Sequence, residues 1–405
     1  MTELAMTEAF VVVIAARGAA GAASPPPLLQ PAKMRRPVPS TVHVVRLIII
    51  TPAPASDGLV RRLRSTARNR AESGHTLFRF RGRAKLKQKT RTARAHVKRT
   101  FIASALAALA CSSAVVAQPV DYSKLEIEIT DLGNGVHLLG WQGGDSLILV
   151  GDDGVLLVDT SVAQMGDKIR AAVARVSSKP ITLVINTHAH ADHFGANEAM
   201  GKGGALIVAH TNLRERMAKG QTIAAFNQTI PPSPPAALPT VTYANAMTLH
   251  FGGDTVQLFH VPNAHTDSDT LVHFKRANVI HASGTFGGDG SYPFFDASSG
   301  GSLTGMIAAQ EKMLSLADAN TRIVPDEGVP GSTAVLQACH DALIEIRTRV
   351  QKLINEGKSE DEAVAAKPTK DLDTKWVRPG GFLTGDTFTR MAYQSLKSGN
   401  ASAAR

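Results

Sequence analysis

Thr187-His188-Ala189-His190-Ala191-Asp192-His193-Phe194-Gly195-Ala196-Asn197 sets three histidines and one aspartate within six positions. The run before it, ITLVINT from Ile181, is apolar and rich in β-branched residues, and reads as a buried strand. In extended backbone, residues two apart point the same way, so His188 and His190 can converge on one ion. Asp192 and His193 follow in the turn and can face a neighbouring position. Imidazole and carboxylate are the donors that zinc takes in catalytic sites. A lone buried histidine is ordinarily a satisfied core residue; four donors at this spacing point to a metal.

Working outward, the chain alternates strands and helices after Gln118. LEIEITDL, VHLLGW, SLILVG and VLLVDT read as strands joined by the short turns GNG and DDG, hence antiparallel hairpins. A helix is expected over Met165 to Val176. ALIVAH is a strand and TNLRERMAKG a short helix. The prolines of TIPPSPPAALPT, Thr229 to Thr240, forbid regular structure there. TLHF, TVQLFHV, TLVHFK and NVIHA are again strand-like. SLTGMIAAQEKMLSLA reads as a helix, TRIVP as a strand, and STAVLQACHDALIEIRTRVQKLINEG as a long helix with a charged tail behind it. The pattern predicts an α/β (α+β) protein with two mixed sheets packed face to face and helices outside.

THAHADHFGAN together with VPNAHTDSDTLVHF around His265 resembles the metallo-β-lactamase fold superfamily. VLLVDT, with Asp159 at its end, resembles the family's first motif, NVIHASGTF the fourth and IVPDEG the last. The resemblance runs from about Glu126 to Gly357. It implies an αββα sandwich with metal at the strand edge between the sheets. It also implies that His188, His190 and His265 bind a first zinc and that Asp192 and His193 serve a second. Asp159 is expected to orient a ligand histidine. His210, His250, His260, His273 and His281 are read as structural.

Two departures matter. The family's bridging carboxylate belongs where this chain has Gly284, after His281-Ala282-Ser283. Its final histidine belongs where Pro325-Asp326-Glu327-Gly328 puts Glu327. Glu327 is therefore the expected carboxylate ligand, with Asp326 or Asp289 as substitutes under a shifted register. One zinc is expected at the three-histidine site, with the second weak, exchangeable or absent. Asp192 either ligates that second zinc or moves protons for catalysis.

Composition bounds the rest. Of 405 residues, 43% are hydrophobic and 19% charged, which supports a packed core rather than disorder or a multi-span membrane protein. The net charge of +10 is concentrated at one end: residues 1–100 hold 20 Lys and Arg against 4 Asp and Glu, and the remainder 24 against 30. Residues 1–96 read as a basic, proline- and arginine-rich disordered leader or as sequence upstream of a true start at Val97. Residues 97–117 read as a signal peptide, with Lys98-Arg99, an apolar run, and Val115-Val116-Ala117 before Gln118. That run is short for a membrane span, so no stable membrane anchor is expected. Residues 118–357 are the expected domain, and 358–405 a tail packing on or flanking it. Removal of Cys111 with the signal leaves Cys339 without an intramolecular disulfide partner.

The expected function is a periplasmic or secreted zinc-dependent hydrolase whose metal-bound hydroxide attacks a carbonyl in a small-molecule substrate such as a β-lactam, lactone or other ester. The alternative is a catalytically impaired metal-binding protein with a binding or scaffold role. Nucleic-acid binding rests only on residues 61–99 and is not expected of the mature domain.

Overall fold

The computed structural model describes residues 10–12 and 120–403, apart from Gln142 and Asp289. The expected signal peptide, the leader outside 10–12, and Asp289 thus lie outside the described residues. A short strand, β1 (Phe10–Val12), borders one sheet.

The hairpin ladder forms the start of the other sheet. β2 (Glu128–Gly133), β3 (Val136–Gly140), β4 (Ser146–Gly151) and β5 (Gly154–Val158) pair antiparallel in succession. Helix α1 (Gly166–Ala174) then crosses to β6 (Ile181–Ile185), parallel to β5. Short helices α2 (Ala191–Phe194) and α3 (Asn197–Lys202) precede β7 (Leu206–His210), and α4 (Thr211–Lys219) follows it. A small hairpin, β8 (Gln221–Ile223) and β9 (Gln228–Ile230), turns through Asn227 in left-handed backbone. β10 (Val241–Tyr243) completes this seven-stranded sheet beside β7.

The second sheet, also seven-stranded, holds β1, β11 (Ala246–Phe251), β12 (Asp254–His260), β13 (Thr270–Phe274), β14 (Val279–His281), β15 (Arg322–Val324) and β16 (Gly331–Ser332) in that order. Helix α5 (Leu303–Leu316) lies between β14 and β15, which pair in parallel. After β16 come α6 (Thr333–Asn355), α7 (Glu360–Ala365), α8 (Asp373–Trp376) and α9 (Gly385–Ala403). Ser302 and Ser332 cap α5 and α6 by accepting from Gly305 N and Val335 N.

Alternation explains the layers. In β5, Leu156 and Val158 face the inter-sheet core with Leu147, Leu149, Leu258, Val272 and Phe274. Val155 and Leu157 face the other way, onto Ile169 and Val173 of α1. A strand buried on both faces must be apolar throughout, which is what VLLV is. Behind the second sheet, Leu271, Ile280 and Ile323 meet Met306, Leu336, Leu343, Phe388 and Leu396. The residues after 357 are therefore woven into one of the three main cores. The result is a helix–sheet–sheet–helix sandwich, the architecture expected from the sequence.

At one end of the sandwich the β4–β5 turn meets the β11–β12 turn: a Cβ on Gly151 would land on the backbone of Gly252, and Gly252 N donates to Asp153 Oδ2 at 3.0 Å. The segments following β5, β6, β12, β14 and β15 converge on a different place, described next.

Candidate metal centre

β6 delivers the histidine motif, and Asp159, just past β5, pins it. Asp159 is fully buried at φ +60°, a conformation costly for a residue with a Cβ. Its Oδ1 accepts from Thr187 N at 2.8 Å, and its Oδ2 from Thr187 Oγ1 at 2.6 Å and from His193 Nδ1 at 3.0 Å. The strain is held by those three bonds.

His188, His190 and His265 are all buried, and one ring nitrogen from each lies within 4.8 Å of the others. Partners on the far sides of the rings fix which nitrogen is free. His265 Nδ1 donates to the Phe294 carbonyl at 2.7 Å, leaving Nε2 bare. His190 Nε2 donates to Asp296 Oδ2 at 3.2 Å, leaving Nδ1 bare. His188 Nδ1 is in contact with the hydroxyls of Thr187 at 3.0 Å and Ser283 at 3.3 Å, and its Nε2 has no partner.

His190 Nδ1 and His265 Nε2 stand 3.0 Å apart. Two nitrogens each about 2.0 Å from one tetrahedral zinc are separated by about 3.3 Å. A buried orphan nitrogen and two bare nitrogens facing each other fit a divalent cation. Burial, with His190 beside it, lowers the His265 pKa to about 3, and burial with the surrounding histidines holds His188 well below its usual range. Both rings are neutral, the form that binds metal.

The neighbouring position is built around His193. Its Nε2 lies 3.6 Å from Asp192 Oδ2 and 3.9 Å from Asp326 Oδ2. Burial opposes the charged ring, but Asp192, Asp159 and Asp326 outweigh it and raise the pKa to about 10. Asp192 keeps 39% of its side chain open to solvent. Burial raises its carboxyl, yet His193 and His190 hold it below the usual range. The loop after β3 closes over this residue: a Cβ at Gly144, φ +108°, would lie 2.7 Å from Asp192 O.

Of the residues singled out in the sequence, the fold brings His188, His190 and His265 to one point and Asp192 and His193 to the next. The carboxylate facing His193 from the last motif is Asp326. Glu327 is half-buried; burial raises the carboxyls of Asp145 and Asp326, and Glu327 beside them adds to the rise. At Gly284 a Cβ would lie 2.6 Å from His265 Nε2, so the His265 ring occupies the space where a bridging side chain would begin.

Sequence reasoning missed Asp296 and Asp145. Asp296 sits in SYPFFDASSGG, where nothing in the spacing ties it to His190. Asp145 accepts from Trp141 N at 3.1 Å and Gly328 N at 3.2 Å, tying the loop after β3 to the loop after β15. Its carboxyl is raised to about 7 by burial.

Residues 139–319 match the sequence model of the metallo-beta-lactamase superfamily. They form a metallo-β-lactamase-superfamily domain. Among solved structures, the stereoselective inverting sec-alkylsulfatase Pisa1 from Pseudomonas sp. is 17% identical with a TM-score of 0.52, covering 69% of this chain and 52% of that one. This chain thus spans about half the sulfatase's length, and the likeness is one of fold. A metallo-beta-lactamase from Pontibacter korlensis is 16% identical with a TM-score of 0.46, covering 54% of this chain and 99% of its own. One from Hirschia baltica is 18% identical with a TM-score of 0.44, covering 53% of this chain and 97% of its own. The domain carries the superfamily fold and a histidine–aspartate cluster able to hold a metal ion.

Proposed function

We propose that this protein is a secreted, zinc-dependent hydrolase acting on a carbonyl compound of the β-lactam, lactone or ester class. The observation that carries the reading is the trio of bare, buried nitrogens on His188, His190 and His265. When bound there, zinc would supply a Lewis acid for a substrate oxygen and a water whose pKa is lowered to about 7.

The chain's own residues supply the rest. Asp296 and the Phe294 carbonyl orient His190 and His265 from behind. Asp192, ionised and half-open at the mouth, is placed to take a proton from water and return it to the leaving group. His193, held by Asp159, positions Asp192 and Asp326 on its free side. We infer one firmly held zinc, because Gly284 offers no bridging oxygen.

A second reading, a metal-binding protein without catalysis, is favoured by the same glycine, whose place is filled by the His265 ring. Zinc content per chain, and rates on a panel of β-lactams, lactones, carboxylate esters and alkyl sulfate esters, separate the two. The hydrolase reading expects at least one zinc and a rate that His190→Ala abolishes. Zinc without turnover favours the second reading, and absence of zinc sinks both. Secretion rests on residues 97–118 and is tested by sequencing the N-terminus of the exported protein, with Gln118 expected first.

A further inference from the structure

The three-histidine centre continues outward into an aromatic wall. The Phe294 ring lies 5.8 Å from the His265 ring, edge to face. Phe294 in turn contacts Phe226 at 5.4 Å and Phe382 at 5.5 Å, and those two stand 5.7 Å apart. The three rings come from three separate parts of the chain: the tip of the β8–β9 hairpin, the segment after β14, and the loop before α9. Exposure rises along the wall. His265 is buried, Phe294 and Phe382 are half-buried, and Phe226 is 44% exposed.

Phe226 carries the ring cluster to the surface, so the apolar surface at the hairpin tip is contiguous with Phe294 and Phe382 rather than a single exposed side chain. Only Val120, Phe226 and Val329 are exposed large hydrophobics among the described residues, and Val329 lies in the loop that carries Asp326. Val329 is three residues past Asp326, and Phe226 is linked to the His265 ring through Phe294. The hairpin is also tied to that centre: Gln221 Nε2 donates to the carbonyl of Ala189, between the two motif histidines, and Ala224 N donates to Ser298 Oγ at 3.0 Å. Ser298 in turn donates to Asp296, the carboxylate behind His190. The wall is held in register with the metal-binding rings.

We propose that Phe226, Phe294 and Phe382 form the substrate's specificity subsite, taking an aryl group attached to the carbonyl that reacts at the histidine centre. This rests on the hydrolase reading for what happens at the carbonyl, and on the wall itself for the aryl group. An aryl ring adds to the cluster at the 4.5–7 Å spacings such rings prefer, and it covers Phe226.

The test compares 4-phenylbutyrate with butyrate as probes, by saturation-transfer NMR titration of the zinc-supplemented full-length chain. Rates on p-nitrophenyl acetate are followed in parallel. The wild type is expected to bind phenylbutyrate about tenfold more tightly than butyrate. Phe226→Ala should reduce phenylbutyrate to the butyrate level and leave butyrate unchanged, while Phe226→Trp retains the preference. Equal binding of the two probes by wild type, or an unchanged preference in Phe226→Ala, overturns the proposal. If the chain turns over none of the β-lactams, lactones and esters of the panel yet Phe226→Ala loses the preference, the subsite stands and the hydrolase reading falls. Phe226 is partly solvent-exposed, and a melting curve for each variant confirms that it folds.

Discussion

Asp296 Oδ2 accepts from His190 Nε2 at 3.2 Å, and the same carboxylate gathers Ser298 and Ser299 through their hydroxyls and the Ser298 amide. Burial opposes the charge, but those donors hold the carboxyl well below its usual range. An ionised carboxylate behind a ligand histidine fixes the ring and makes its other nitrogen more basic. Asp296→Ala is expected to weaken zinc binding by about 10–100-fold. Asp296→Asn, which retains an acceptor oxygen, should lose less. Competition with a chromophoric chelator reads both, and unchanged affinity in Asp296→Ala would show that Asp296 has no hold on the centre.

Any side chain at Gly284 must displace the His265 ring, since a Cβ there lies 2.6 Å from Nε2. Gly284→Ala is therefore expected to lower zinc occupancy even though alanine adds no charge and no donor. The measurement is zinc per chain after dialysis, alongside a melting curve. Full occupancy would mean that the ring has room to move.

Zinc should stabilise the fold, because the three rings converge to bind it only when folded. Free zinc at a hundredfold excess over its dissociation constant contributes about 2.7 kcal/mol. A chelator is expected to lower the melting temperature of the wild type and leave His190→Ala unmoved. A wild type indifferent to chelator would argue against a resident metal.

The two touching turns leave no room for a methyl group. Gly151→Ala sets a Cβ against Gly252 backbone and is expected to cost about 1–3 kcal/mol, read from the urea midpoint. A change within a few tenths of a kcal/mol would show that the turns separate freely.

His210 stacks on His260 at 3.6 Å, caps α4 by accepting from Asn212 N, and donates to the Ala244 carbonyl. Burial, with His260 alongside, lowers its pKa from 6.5 to about 4. Between those values the unfolded chain binds more protons than the folded one. The stability it contributes is present above pH 6.5 and is lost as pH falls toward 4. His210→Asn preserves a capping acceptor and removes the titration. The variant's urea midpoint should fall less than the wild type's between pH 7 and pH 5. Equal losses would place the acid sensitivity elsewhere.

Much of the fold was legible because its signals are local. VLLV and ITLVI are apolar on both faces, as strands covered on both sides must be, and the α6 stretch repeats apolar residues at helical spacing. The β8–β9 hairpin was not legible: its strands are three residues each, and Asn227 in AAFNQ is a weak turn signal. The stretch after Gly357 reads as a charged tail because its buried residues, Ala363, Trp376, Leu383 and Phe388, are widely spaced among polar ones.

The sequence by itself put four candidate donors, His188, His190, Asp192 and His193, on one short turn after one strand, so local geometry keeps them close; His265 joins His188 and His190 from the far sheet only through the fold. Only the tertiary structure decided what stands behind and beside those donors. Asp296 reaches His190 across 106 positions of sequence and Asp326 reaches His193 from the far sheet. Three phenylalanines from three loops meet beside His265. Contacts of that kind follow from how the sheets pack, and spacing along the chain carries no trace of them.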